Sequence, residues 1–124
     1  MMKLAAVREA LAAEISAVTT AEVAVVDFPP DQLHAPAVFL LWGTPWLELH
    51  NRCSWVGNID VLLVTSRFEP SGAFDTLEGL TEQILPLLAG GRWRFGFLEA
   101  PGPIEVAGVT YLSARLTIST DIDN

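Results

Sequence analysis

Between Ser54 and Leu88 the chain passes from strict alternation to helical periodicity across a short turn containing Pro and Gly. Trp55, Ile59, Val61 and Leu63 are apolar, while Asn58 and Asp60 take the opposite parity. A period of two of this kind specifies a strand with one face turned to a core. Phe74, Leu77, Leu80, Ile84, Leu87 and Leu88 then recur at helical spacing, so the next element carries the stripe that covers that face. A strand that must hide one side, followed at once by its cover, restricts the chain to architectures in which helices lie on a sheet.

The remaining segments fit that plan. Leu4, Val7, Leu11, Ile15 and Val18 step by three or four residues and specify a first helix from about Met2 to Val18, ended at Thr19 and Thr20. Glu22 to Phe28 reads as a short β-branched strand, closed by the loop Pro29-Pro30-Asp31 because proline cannot donate to a ladder. Ala37 to Trp42 is a continuous apolar run, as in a strand covered on both faces or covered on one by a neighbouring subunit. Gly43-Thr44-Pro45 breaks it, and Trp46 to His50 either resumes the strand after a bulge or stands as a separate piece. Asn51-Arg52-Cys53 is the expected turn into the long strand, which runs to about Ser66.

Glu69-Pro70-Ser71-Gly72 leads into the second helix, with Ser71 as the expected N-cap and Asp75 in the first turn. An interior proline costs a helix about 3 kcal/mol, but Pro86 falls with Asp75 and Glu82 on the wet face, where water satisfies the freed carbonyl of Glu82. Gly90-Gly91 ends the helix. Trp93, Phe95 and Phe97 then alternate with Arg92, Arg94 and Gly96 in a strand. Ile104 to Val106 pairs through a turn at Ala107-Gly108 with the closing strand. There Leu112, Ala114, Leu116, Ile118 and Ile122 point one way and Tyr111, Ser113, Arg115, Thr117, Ser119 and Asp121 the other, as in a half-wet antiparallel strand, and the tail Asp121-Ile122-Asp123-Asn124 is expected to end in solvent. The expected fold class is α+β: a mainly antiparallel mixed sheet with two amphipathic helices on one face, the other face left for partners.

The 124 residues suit a single domain spanning residues 1–124, which buries roughly two-thirds of its unfolded surface. Its 51% hydrophobic content is high and its 18% charged content low, so part of the apolar surface is expected to be sealed against other copies. Seven basic against fifteen acidic residues give a net charge of −8, which repels phosphate backbones and anionic lipid and argues against specific DNA binding. An acidic surface suits solubility or a channel through which DNA slides without adhesion. Cys53 is the single cysteine, so no internal disulfide forms and a reducing compartment is expected. Met1 to Val7 imitates a leader, but Arg8, Glu9 and Glu14 cut the apolar run. Ala35 to Leu47 is too short for a bilayer and is interrupted by Pro36, Gly43 and Pro45, so no membrane association is expected.

Chemistry finds little support. His34, His50 and Cys53, even with Asp31 or Glu48, lack the ligand spacing and support of a zinc site. Cys53 has no oriented base or anion hole nearby, and Glu78 and Glu82, four apart, read as a solvated helix face. No phosphate-binding glycine motif stands between a strand and a helix. The expectation is therefore no enzyme, no catalytic residue, no cofactor and no metal. Four tryptophans remain. Trp55 and Trp93 match the core parity of their strands and are assigned to packing. Trp42 and Trp46 flank the Gly43-Thr44-Pro45 break and are the candidate interface anchors.

The opening amphipathic helix, the Asp27-Phe28-Pro29-Pro30-Asp31-Gln32-Leu33 segment followed by Pro36 and an apolar strand, the His50-to-Arg67 strand, the Phe74-to-Leu88 helix and the closing alternating strand together resemble the tail terminator or tail-completion proteins of long-tailed, siphovirus-like bacteriophages, especially those infecting actinobacteria. The likeness spans most of the chain. It rests on the order of elements and a Pro-Pro-Asp-Gln turn, so it transfers no functional residue. It implies a structural virion subunit that forms a ring, commonly a homohexamer, on the end of the tail tube. Such a ring halts polymerisation and meets the head-completion or connector protein at the head-tail junction, with DNA passing through its lumen unbound and assembly taking place in the host cytoplasm. A head-tail connector or minor tail subunit is the neighbouring alternative, and a small-ligand binding α+β domain the alternative from another class.

Overall fold

The computed structural model describes residues 4–20, 22–28, 31–34, 36–51, 54–65, 70–88 and 93–123, with positions 50, 51, 70, 71 and 123 described by backbone alone. In chain order the elements are α1 (Leu4–Val18), β1 (Ala24–Val26), β2 (Ala37–Asn51), β3 (Ser54–Thr65), α2 (Pro70–Leu88), β4 (Arg94–Leu98), β5 (Gly102–Val106) and β6 (Val109–Asp123). The strands form one sheet in the order β1-β2-β3-β6-β4, with β5 also paired to β6. The β1–β2 pair is parallel and the others are antiparallel. This is the α+β arrangement expected from the pattern, with both helices on one face.

The main core lies between sheet and helices. Val7, Leu11 and Ile15 of α1 meet Leu77, Leu80, Ile84 and Leu88 of α2 over Val38, Leu40, Ile59, Val61, Leu63, Leu116 and Ile118. The positions in α1, α2, β3 and β6 have the parity or period that the sequence predicts, whereas Val38 and Leu40 come from the continuous apolar run, for which no parity is predicted. α1 lies over β1 and β2, and α2 over β3 and β6, which leaves β4 at the margin of the helix layer. Trp93 is buried at the end of that margin, and its indole Nε1 donates to Glu14 Oε2 at 2.8 Å, tying α1 to the entry of β4.

The opposite sheet face is not uniformly wet. Phe39, Leu62, Val64 and Tyr111 form a second, smaller core, flanked within the sheet by Val26, Ile104 and Val106 and packed by Leu33 from the segment after β1. Tyr111 Oη donates to the Leu33 carbonyl at 3.3 Å, fixing the segment after β1 over this patch. The half-wet reading of β6 therefore holds for Arg115, Thr117 and Ser119, while Tyr111 and Ser113 are covered. Nor are Ile122 and Asp123 a solvent tail, because β6 pairs with β3 as far as Asp123 and Ile122 is buried; Asn124 lies outside the described residues.

Several local expectations change. β1 spans only Ala24–Val26. β2 continues through the Gly43-Thr44-Pro45 break as one bulged strand, so the resumed-strand alternative is the one observed. α2 begins at Pro70, the favoured first-turn place for proline, so Ser71 lies inside the helix instead of capping it and Asp75 falls beyond the first turn. Phe74 is 42% exposed and stands outside the buried stripe, whereas Pro86 and Glu82 are exposed as the wheel requires. The Pro29-Pro30 loop, the Arg52-Cys53 turn, Ser66 and the Gly90-Gly91 stop lie outside the described residues.

The strand β4 departs most from simple alternation. Arg94 faces Ser119 and Phe95 faces Ile118, but Phe97 then faces Thr117 and Leu98 faces Leu116. One extra residue, Gly96, enters the strand as a bulge and reverses the parity after it. A Cβ at position 96 would stand 2.9 Å from the Thr117 carbonyl oxygen, which is why glycine occupies the bulge. Phe95 thus shares the helix-side face with Trp93, and Phe97 projects to the other.

β5 and β6 close through a two-residue turn in which Ala107 has φ 51° and Gly108 φ 80°. Positive φ at both central positions is the primed hairpin geometry that suits Asn-Gly, and alanine adopts it at a steric cost of about 1–2 kcal/mol. Ala107→Asn is therefore expected to stabilise the protein by roughly 0.5–1 kcal/mol, raising the midpoint of thermal unfolding followed by circular dichroism. An unchanged or lowered midpoint would contradict the assigned turn.

Candidate interaction surfaces

Only the first part of β2 is flanked by β1, since Ala24, Val25 and Val26 pair with Ala37, Val38 and Phe39. From Leu40 onward β2 has β3 on one side and, among the described residues, no strand on the other. The bulge sits on this open edge. Trp42 faces Ile59 and Leu47 faces Gly57, so three more residues are accommodated in β2 than in β3 between those pairs. Asn58 holds the displaced loop, its Nδ2 donating to the Pro45 carbonyl at 2.8 Å and to Glu48 Oε1 at 3.1 Å.

The displacement brings Trp42 and Trp46 together, with ring centroids 5.4 Å apart and planes inclined at 37°. Trp42 is half-buried and packs on the main core, whereas Trp46 is 49% exposed. Beneath the start of α1 the two indoles border an apolar cavity of about 470 Å³, walled also by Leu4, Ala5, Phe28 and Leu40. Its polar wall is satisfied internally: Arg8 Nη1 donates to the Asp27 carbonyl at 2.9 Å and stands 3.5 Å from Asp27 Oδ2. Phe28 and Leu49, at 53% and 62% exposure, extend the oily surface along the same side.

The far side of the sheet is different in shape. Phe95 and Phe97 project from β4 with about half of each side chain exposed, one to each face of the sheet. Between α2 and the β4–β5 junction runs an open groove of about 510 Å³ with Phe74, Leu77, Leu98 and Pro101 in its walls and Glu78, Glu82 and Glu99 at its rim. On the outer face a smaller crevice of about 280 Å³ lies between the β2 bulge and Phe97. Asp60 anchors its floor, accepting from Thr117 Oγ1 at 3.4 Å and standing 3.8 Å from Arg115 Nε. Thr117 and Arg115 thus both engage the Asp60 carboxylate.

The other sequence candidates remain scattered. Asp31, His34 and Glu48 are exposed, Cys53 and the side chain of His50 lie outside the described residues, and no cluster of three or more metal-binding side chains occurs among the described residues. Glu78 and Glu82 are both exposed on α2. Among the described residues no helix is long and apolar enough to cross a membrane. No protein-family model matches the chain, and no curated protein matches it.

Sequence reasoning singled out the two tryptophans beside the bulge but missed Phe95 and Phe97. Their exposure follows from the Gly96 bulge and the marginal place of β4; the Arg-Phe-Gly-Phe spacing carries a trace of it, since glycine inside a strand often marks a bulge. The burial difference between tryptophans has a measurable consequence. Trp93→Ala removes a fully packed side chain and is expected to cost roughly 3–5 kcal/mol in urea unfolding. Trp46→Ala, at the exposed site, is expected to change monomer stability by less than about 0.5 kcal/mol.

Proposed function

We propose that the protein is a structural subunit of the tail terminator type from a long-tailed bacteriophage, which assembles as a ring, commonly a hexamer, on the end of the tail tube. The observation that carries this reading is the pair of unlike apolar edges at opposite ends of one sheet: a hollow beside β2 and projecting phenylalanines on β4. A subunit whose two sides differ joins its copies head to tail, and such contacts close into a ring when the rotation between neighbours allows it. The high apolar content then has a destination, and the order of elements resembles that of tail terminators.

In this role the ring stops polymerisation of the tail tube protein, presents a surface to the head-completion or connector protein, and resides at the head-tail junction after assembly in the host cytoplasm. The net charge of −8 lets DNA pass without specific binding. A connector or minor tail subunit shares these features and differs only in its neighbours. The apolar groove beside α2 supports a second reading, a small-ligand binding α+β domain, because it pairs an oily wall with three carboxylates.

Native mass spectrometry of the purified chain, with electron microscopy of tail tubes assembled with and without it, tests the proposal. The expected result is a closed oligomer seated on tube ends, with tube growth arrested. A chain that stays monomeric in the presence of tubes that continue to lengthen would sink the reading.

A further inference from the structure

The cavity beside β2 opens on the helix-facing side of the sheet, because Trp42 is paired with Ile59 and the start of α1 forms its roof. Phe95 stands at the other end of the sheet on the same side, paired with Ile118 and 47% exposed. One copy therefore presents an apolar hollow where the next presents an unburied phenyl ring, at the same level of the two-layer fold. Strand direction agrees as well. β2, β3, β6 and β4 alternate in sense, so β4 runs opposite to β2, and a copy moved sideways along the sheet brings its β2 antiparallel to this β4. Antiparallel is the more stable pairing per residue.

We propose that Phe95 of one copy inserts into the hollow between α1 and β2 of the next, against Trp42 and Trp46, with β4 lying antiparallel beside the open edge of β2. This rests on the ring reading and names its interface. The two indoles are tilted and 5.4 Å apart, which leaves ring faces and edges for a third aromatic group in the offset or edge-to-face arrangements that such groups prefer. The hollow, at about 470 Å³, accommodates an aromatic side chain together with part of its strand. Neither surface complements itself, so the contact is heterologous and each copy uses both its sides.

The test uses the full chain carrying Cys53→Ser, into which Phe95→Cys and Trp46→Cys are introduced separately and together, with a short bismaleimide as the cross-linker. Neither single variant should cross-link with itself. Their equimolar mixture should yield covalent dimers with one copy of each, and the double variant a ladder ending at the ring size. In parallel, Phe95→Asp is expected to raise the dissociation constant of the assembly by roughly 30-fold or more, as removal of a central aromatic anchor does, while the thermal midpoint of the separated monomer stays near that of the unsubstituted chain. Phe95–Phe95 or Trp46–Trp46 cross-links would indicate a two-fold contact and overturn the pairing. A ring that persists undiminished with Phe95→Asp would overturn the pairing and leave the ring itself standing, whereas absence of any oligomer of the unsubstituted chain, with or without tail tubes, would overturn both.

Discussion

The ladder between β3 and β6 is the constraint on which the other elements depend. It runs unbroken from Ser54 opposite Asp123 to Thr65 opposite Leu112, and the Thr65 hydroxyl donates to the Leu112 carbonyl at 3.2 Å across 47 positions of sequence. Because side chains alternate along both strands, fixing this register sends Ile59, Val61 and Leu63 with Leu116 and Ile118 beneath the helices, and Leu62 and Val64 with Tyr111 into the smaller core. A slip of β3 by one residue would exchange its two sets and turn Asp60 toward the helices. Burial on both sides at one end, and on one side at the other, specifies the register more tightly than a single core would.

With that ladder fixed, the edges become the variable part of the molecule. β2 extends well past the short β1, and β4 extends past the helix layer, so each end of the sheet keeps apolar surface that the chain does not cover. The two ends differ in kind. One is hollow and rich in indole; the other projects. A monomer selected only for its own stability gains little from either, since exposed aromatic side chains remain in contact with water. Their placement at opposite ends of one sheet is the feature on which the proposed ring rests, since contacts between unlike surfaces join copies head to tail.

Much of the architecture was legible in the residues. The stripes Val7-Leu11-Ile15 and Leu77-Leu80-Ile84, and the alternation of β3 and β6, rest on periodicity, which is a direct imprint of burial. What was not legible depended on single-residue backbone events and on contacts distant in sequence. The bulge in β4 is occupied by Gly96 because no side chain fits there against the Thr117 backbone, and that single inserted residue sends Phe95 and Phe97 to opposite faces. Phe74 keeps its helical spacing yet is exposed in the wall of the groove between α2 and the β4–β5 junction. The second core was hidden for a similar reason: it needs Leu33 from the loop after β1 and Ile104 from β5, segments that no local pattern joins. Of the surface site, Trp46 was visible as an aromatic residue beside a break, but the hollow could not be read locally, since Leu4 and Phe28 meet β2 only after folding.

The interruptions in the two margins of the sheet have a further consequence. Amyloid growth needs a flat template of regularly spaced donors and acceptors onto which strands can stack without limit. Here the β2 margin is dislocated between Trp42 and Leu47 and carries Pro45, and the β4 margin is kinked at Gly96 after two residues of regular pairing. Proline and bulges are recognised means of blunting such templates. A chain this oily can therefore keep its sides open to a shape-matched counterpart while denying fibrils a continuous seed.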